Sequence, residues 1–432
     1  MSAQDGKAIC ECIEDKRDDL VSLLSDLIAQ EPVIGNKKPA QEVVCSRLES
    51  CGLDVDTWEP DADELGSHPG FFETSSYAEY GYEGRPNVAA TDDGAGDGRS
   101  LALSGHVDVV PVDEDEWSHD PWDATVEDDR LYGRGSNDML GGVASILVAY
   151  DALRELGVDL SGDLTLQTTI EEEAGGPGGV LSALERGYRP DAAVIPEPSG
   201  LPDIGMASAG VMYFRLTVPG RSAHAARGYE GVNAIGKAST LYRALDELDR
   251  ERKARIAYEP AFRQNPQLEG HETNLNVGSI ESGDWPSTVP SEARLECRIG
   301  WPPGETREDV RAEVETTVKE AAEGDEWLAE HPPEIEWFGW NAAPHELDTD
   351  EEVVRLARDH AETVTGEETT FGGGSGGNDE RFYNLYYDIP CPSVGPRGAH
   401  IHGADEYVEI DSLVETARTL ALTAIDWCGV EK

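Results

Sequence analysis

Short apolar runs of strand character alternate with segments of helical periodicity through the first half of this chain. The runs are PNVAA, LALSGHVDVV, LTLQTTI and DAAVIP, with helical patterns between them over about 142–156 and near 178–187. Ahead of them, Ile9, Ile13, Leu20, Leu24, Leu27 and Ile28 predict a helix over 8–30, and a second pattern over 40–51 ends at Gly52, a C-cap residue. Strands interleaved with helices dictate an α/β layer with a mostly parallel sheet. Near residue 209 the rhythm changes. VMYFRLTVPG, a long helical stretch, NLNVGSI, SEARLECRI, a helix over about 307–323 and EIEWFGW make a β-α-β-β-α-β block, the composition of a small α+β sandwich. Alternation then resumes and closes in a helix over 411–426. The expected organisation is an α/β catalytic domain, residues 1–208 and 344–432, interrupted by an inserted α+β domain, residues 209–343. The stretch 59–85, rich in Gly, Pro, Tyr and acid, reads as a surface insertion.

The formal charge is −53, from 87 Asp plus Glu against 34 Lys plus Arg. Such a field repels phosphate backbones and anionic lipid, which argues against nucleic-acid and membrane-surface partners. Acid-rich chains without apolar runs are disordered; this one has them, so the acid reads as the coat of a folded protein, like that of proteins from salt-loving organisms. Seven cysteines with no CxxC pair fit a reduced compartment, and MSAQDGKAIC lacks the pattern of a secretory leader, so the expected location is cytoplasmic.

The chemistry lies where strands end. In SGHVDVVP, His106 and Asp108 are two apart and share a strand face; a metal-binding imidazole usually has its second nitrogen held by a carboxylate or carbonyl, and Asp108 is placed for that. An ordinary strand-end histidine is the alternative. LYGRGSNDMLGG puts Asp138 in a glycine-rich loop before a helix, either a bridge between two cations or a helix N-cap. TTIEEEAGG follows a strand with Glu171, Glu172 and Glu173, which in so acidic a chain could be one more solvated turn. VIPEPSG repeats the geometry with Glu197, and GAHIHGADEYVEI supplies His400 and His402 before the last helix. Each is weak alone. Together, at successive strand ends, they form an N/O ligand set suited to zinc, with cobalt or manganese as alternatives.

SGHVDVVP, GRGSNDM, EEEAGG, EPSG, GRSAHAA and HGADEYV, in this order, resemble the family of co-catalytic zinc aminoacylases and carboxypeptidases, most of all its acetylornithine deacetylase and succinyl-diaminopimelate desuccinylase branch. The resemblance implies one metal held by His106, Asp138 and Glu197, and another by Glu173, His402 and the same bridging Asp138. It makes Glu172 the general base and Glu171 structural. It gives the inserted domain a lid or dimerisation role, and His224 of GRSAHAA the stabilisation of the oxyanion, reaching a partner's active site in dimeric relatives. The chain departs from the pattern at Leu140, where relatives have lysine, at Ser287, where many have asparagine, and at Gly300, where many have a carboxylate-binding arginine; Arg298, two residues earlier, shares that strand face and is the candidate substrate-binding residue.

The expected activity is removal of the acyl group from an N-acyl amino acid or related small N-acyl amine by a homodimer. A zinc dipeptidase or carboxypeptidase of the same family is the alternative, and a metal-binding or peptide-binding homologue without catalysis is a further one. GGSGG at 373–377 matches the serine-hydrolase motif G-x-S-x-G, but in FGGGSGGND it reads as a flexible loop. The surface charge carries its own prediction: the melting temperature should rise from dilute buffer to molar KCl, as screening relieves self-repulsion. A steady fall with added KCl in a thermal scan would contradict this.

Overall fold

A computed structural model describes residues 3–431. The chain divides into two compact units, one made of the chain up to Ala207 with Glu346–Gly372 and Asn378 onward, the other of Ser208–His345 with Gly373–Gly377.

The first unit is built on five strands: β1 (Val55–Trp58), β2 (Asn87–Asp92), β3 (Leu101–His106), β4 (Leu164–Thr169) and β5 (Ala192–Val194), in the order β1-β2-β4-β3-β5. β3 pairs in parallel with β4 and β5, whereas β1–β2 and β2–β4 are antiparallel. The sheet is therefore mixed rather than mostly parallel. The link between β1 and β2 contains only short helices, Ala62–Leu65 and Ser75–Tyr80, and returns the chain antiparallel. All six residues of β3 are buried, as befits a strand covered on both faces. Its register sets His106 opposite Thr169 and Leu103 opposite both Leu166 and Val194, so three parallel strands end along one edge.

Helices α1 (Ala3–Asp15), α2 (Arg17–Ile28), α3 (Lys38–Ser50), α4 (Leu140–Glu155), α7 (Glu352–Thr365) and α8 (Ile410–Cys428) contribute to this unit. α4 is buried from Leu140 to Leu153, which explains why its sequence is apolar almost all round. Leu140 serves this core, and a lysine there would be buried among apolar side chains. The glycines after it have a steric reason: a Cβ on Gly141 would stand 2.4 Å from the Ser136 carbonyl oxygen, and one on Gly142 2.3 Å from that of Pro196. Only a bare backbone lets the start of α4 come so close to the segment carrying Glu197.

Three local expectations differ. The single helix over 8–30 is two, broken at Lys16, where no Gly or Pro marks the break and the lysine reaches Glu155 at 2.6 Å. The helix near 178–187 is a wide turn over Pro177–Leu181 followed by a short helix, Ser182–Arg186. The stretch 59–85 is not merely surface: Thr74, Ser76 and Arg85 are buried within it. Gly52, by contrast, has the left-handed φ of 85° that a helix terminus after α3 favours.

The second unit is an antiparallel sheet of β6 (Gly210–Pro219), β7 (Asn274–Ser282), β8 (Glu292–Trp301) and β9 (Glu334–Ala342), ordered β7-β8-β6-β9. Phe214, Leu216, Leu295 and Ile299 alternate onto one face and form a core with Leu241 and Leu245 of α5 (Ala234–Arg255) and Val314 of α6 (Arg307–Glu323). Among the described residues no helix is long and apolar enough to cross a membrane.

Candidate metal centre

The edge where β3, β4 and β5 end collects the side chains singled out in the sequence. His106 is the last residue of β3, Glu172 and Glu173 follow β4, and Glu197 follows β5. Asp138 comes from the loop before α4 and His402 from the loop before α8. Their ligand atoms form two groups, His106 with Asp138 and Glu197, and Asp138 with Glu173 and His402. His106 Nε2 lies 3.4 Å from Asp138 Oδ1 and 3.6 Å from Glu197 Oε1. His402 Nε2 lies 3.3 Å from Asp138 Oδ2 and 3.0 Å from Glu173 Oε2. Asp138 thus turns one oxygen to each imidazole. Glu172 belongs to neither group, although its Oε2 is 3.9 Å from His106 Nε2.

These residues fit a pair of cations. His106 Nδ1 meets the Asp108 carbonyl at 2.9 Å, which places the proton there and the lone pair on Nε2. That buried Nε2 has no hydrogen-bond partner and faces carboxylates, an arrangement repulsive without a proton or a metal. Titration behaviour reflects the crowding. Burial pulls the His106 imidazole down, yet Asp138, Glu197 and Glu172 outweigh it and hold it well above its ordinary value. The Asp138 and Glu173 carboxylates raise His402 to about 10. Burial, reinforced by neighbouring acids and opposed by His106, pushes Glu172 and Glu197 well up. Burial also raises Asp138, but the two imidazoles win and hold it low.

Asp108 differs in detail from expectation. β3 stops at His106, so Asp108 lies beyond the strand, and its main-chain carbonyl rather than its carboxylate bonds His106. The carboxylate takes the Glu173 N–H at 3.4 Å and the Lys37 ammonium at 3.3 Å. Glu171 is buried with a left-handed φ of 75°; it accepts from Thr74 Oγ1 at 2.6 Å, Tyr82 Oη at 2.9 Å and the Gly178 N–H at 2.9 Å. Residues 59–85 therefore brace the glutamate triplet.

Two expected residues lie in the second unit. His224 is exposed on a two-residue strand, its Nδ1 accepting the Ala226 N–H at 3.0 Å. Arg298, on β8, donates to Asn274 Oδ1, and its Nη1 is 2.8 Å from where a Cβ on Gly300 would stand.

Sequence reasoning missed the residues that hold these loops. Glu406, wholly buried, accepts from Arg134 Nη1 at 2.6 Å and from the N–H groups of Gly135, Asn137 and Asp138 at 3.0–3.1 Å, fixing the loop that carries Asp138. Buried Arg381 donates to the Gly175 and Asn378 carbonyls and ties down the turn after the glutamates. The only sequence signal for Glu406 was its place in HGADEYV, four residues after His402.

Residues 102–426 match the model of peptidase family M20/M25/M40. The chain belongs to this family. Among its relatives, N-formyl-4-amino-5-aminomethyl-2-methylpyrimidine deformylase of Bacillus subtilis strain 168 is 29% identical over 455 aligned positions, covering 97% of each chain. Succinyl-diaminopimelate desuccinylase of Methylobacterium radiotolerans is 29% identical, covering 92% of this chain and 93% of that one. The crystal structure of the Bacillus subtilis YXEP protein, described as a dinuclear metal binding peptidase, superposes with a TM-score of 0.63 at 16% identity, covering 96% of this chain and 99% of that one. The M20 chain is thus a hydrolase of a metallopeptidase family, with ligand groups suited to metal.

Glu406 generates a prediction. Glu406→Ala leaves the Arg134 charge buried and three loop N–H groups unpaired, and should lower stability by about 3–5 kcal/mol. A denaturation midpoint equal to that of the parent would refute the bracing role.

Proposed function

We propose that this M20 chain is an amidohydrolase that removes a short acyl group from an N-acyl amino acid or related small N-acyl amine. Two divalent ions, zinc first and cobalt or manganese as alternatives, would be held by His106, Asp138 and Glu197 and by Asp138, Glu173 and His402. The single observation that carries this reading is Asp138, with one oxygen toward each imidazole and Glu172 alongside but in neither group. Ions so held supply Lewis acidity, polarising the amide carbonyl and making water a better nucleophile at neutral pH.

The chain's own residues do the rest. Glu172 takes a proton from the attacking water as its oxygen bonds to the carbonyl carbon. When the C–N bond breaks, Glu172 returns that proton to the nitrogen, so a neutral amine leaves rather than an amide anion. Products are a carboxylic acid and an amine. Burial beside other acids makes Glu172 a stronger base than a solvated glutamate, which suits both transfers. His224 is assigned to the developing oxyanion: with Nδ1 accepting the Ala226 N–H, the neutral imidazole carries its hydrogen on Nε2, a donor on an exposed side chain. We further infer a homodimer in which His224 serves the partner's site. The deformylase and desuccinylase relatives support an acyl group ahead of a peptide, because both named reactions cleave non-peptide amides.

Glu172→Ala should keep both metals by elemental analysis while turnover falls about 10²–10⁴-fold; parent-like turnover would remove the general-base role. The parent should be silenced by chelator, restored by zinc or cobalt, and cleave formyl, acetyl or succinyl amides. Turnover of dipeptides alone would replace the deacylase reading with a peptidase one. His224→Ala should lower turnover about 10²–10³-fold with metal content and melting temperature unchanged; an unaffected rate would return His224 to a surface role.

A further inference from the structure

Behind the ligands lies a lysine to which neither the family pattern nor the proposed chemistry gives a task. Lys37 precedes α3 in GNKKPA and is 1% exposed, although its neighbour Lys38 is solvated. A buried ammonium is costly unless paired. Its hydrogen-bonded partner is Asp108, also 1% exposed, with Nζ 3.3 Å from Oδ2. Asp108 in turn touches both ligand groups. Its Oδ2 accepts the N–H of Glu173, a residue of the His402 group. Its carbonyl accepts from His106, of the other group, and its Oδ1 stands 3.8 Å from His106 Nδ1 without a hydrogen-bond partner.

We infer that Lys37 is a positioning residue for both metal sites, acting through Asp108 as its buried counter-charge. The Asp108 carboxylate is buried between the Lys37 ammonium and the Glu173 main-chain N–H, with His106 Nδ1 3.8 Å from its other oxygen. Without the Lys37 ammonium, the Asp108 carboxylate loses the side-chain donor that holds its Oδ2 in place, and it can rotate. Rotation disturbs the Glu173 main chain and the His106 ring at once. The role of Lys37 is therefore to hold Asp108 still, so that two ligands from different strands keep their aim. Lys37 reaches Asp108 from the residue that precedes α3, and both side chains are buried, so the ammonium is not offered to solvent.

The inference rests on the two-metal reading, and its test separates the two. Zinc binding is measured on metal-free protein, without substrate, by calorimetric titration. A parent that takes up no zinc would sink the two-metal reading itself. Given a parent that binds, Lys37→Met should weaken zinc binding about 10–100-fold in both steps. In an Asp108→Asn background, where the counter-charge has no partner, Lys37→Met should cause no further loss. A titration curve for Lys37→Met that overlays the parent would overturn the inference. So would an equal loss in both backgrounds, since that would mean Lys37 acts by packing alone. If Lys37→Met does not fold, Asp108→Asn and the double variant, whose buried pair carries no charge, make the comparison. Equal zinc affinity in those two upholds the coupling, and a further loss in the double variant overturns it.

Discussion

Repulsion between carboxylates at the edge of β3, β4 and β5 is the constraint on which the rest of the first unit depends. Two like charges 4 Å apart oppose each other by about 4 kcal/mol at an effective dielectric of 20. A domain has a net stability of only about 5–15 kcal/mol. Asp138, Glu172, Glu173 and Glu197 therefore cannot all be charged and idle together. Protons or metal ions must be shared among them, and the two imidazoles decide how. With Nδ1 committed to the Asp108 carbonyl, His106 offers a lone pair where a cation is needed. The centre is electrostatically incomplete by construction.

The surrounding acids obey a different rule. Glu171 has Thr74, Tyr82 and Gly178 as donors; Glu406 has Arg134 and three N–H groups; Asp108 has Lys37 and the Glu173 N–H. Each is held by donors of the protein itself, although the second oxygen of Asp108 accepts no hydrogen bond. The contrast separates the carboxylates that build the site from those free to hold a cation, a stronger distinction than residue type in a chain with 87 acids. Within the glutamate triplet the two kinds are adjacent. The left-handed backbone at Glu171 turns its side chain into the core while Glu172 and Glu173 face the edge.

The residues at the edge were legible because strand ends advertise themselves. An apolar run interrupted by His106, or stopping just before the glutamate triplet or Glu197, marks a departure from burial pattern. The bracing residues carry no such mark. Lys37 is one basic residue in KKP, and Glu406 one acid among many; only the fold reveals that they are buried and what they pair with. The antiparallel half of the sheet was equally hidden, since alternation of strands and helices fixes neither the direction of β1 nor that of β2. The break at Lys16 escaped because apolar spacing continues across it with no Gly or Pro. Residues 59–85 look polar and loop-like, yet their Thr74 and Tyr82 hydroxyls are what Glu171 requires. Polar composition misleads when the partner is itself a buried acid.

Arg298 and Gly300 show the same dependence of one residue on another. Read along the strand they are separate departures from the pattern the resemblance implies, an arginine two positions early and a glycine where an arginine is expected. In space they are one exchange. Arg298 Nη1 lies 2.8 Å from the place a Cβ on residue 300 would take, and the same guanidinium is held by Asn274, whose amide atoms are 3.2 Å from that place. Any side chain at 300 would collide with Arg298 in this pose, so Gly300 is the condition for Arg298 to fold back along β8. The strand face thus carries the Arg298 guanidinium, tied to an amide oxygen. A substrate contact from this face would have to compete with Asn274, which a freely projecting arginine would not face.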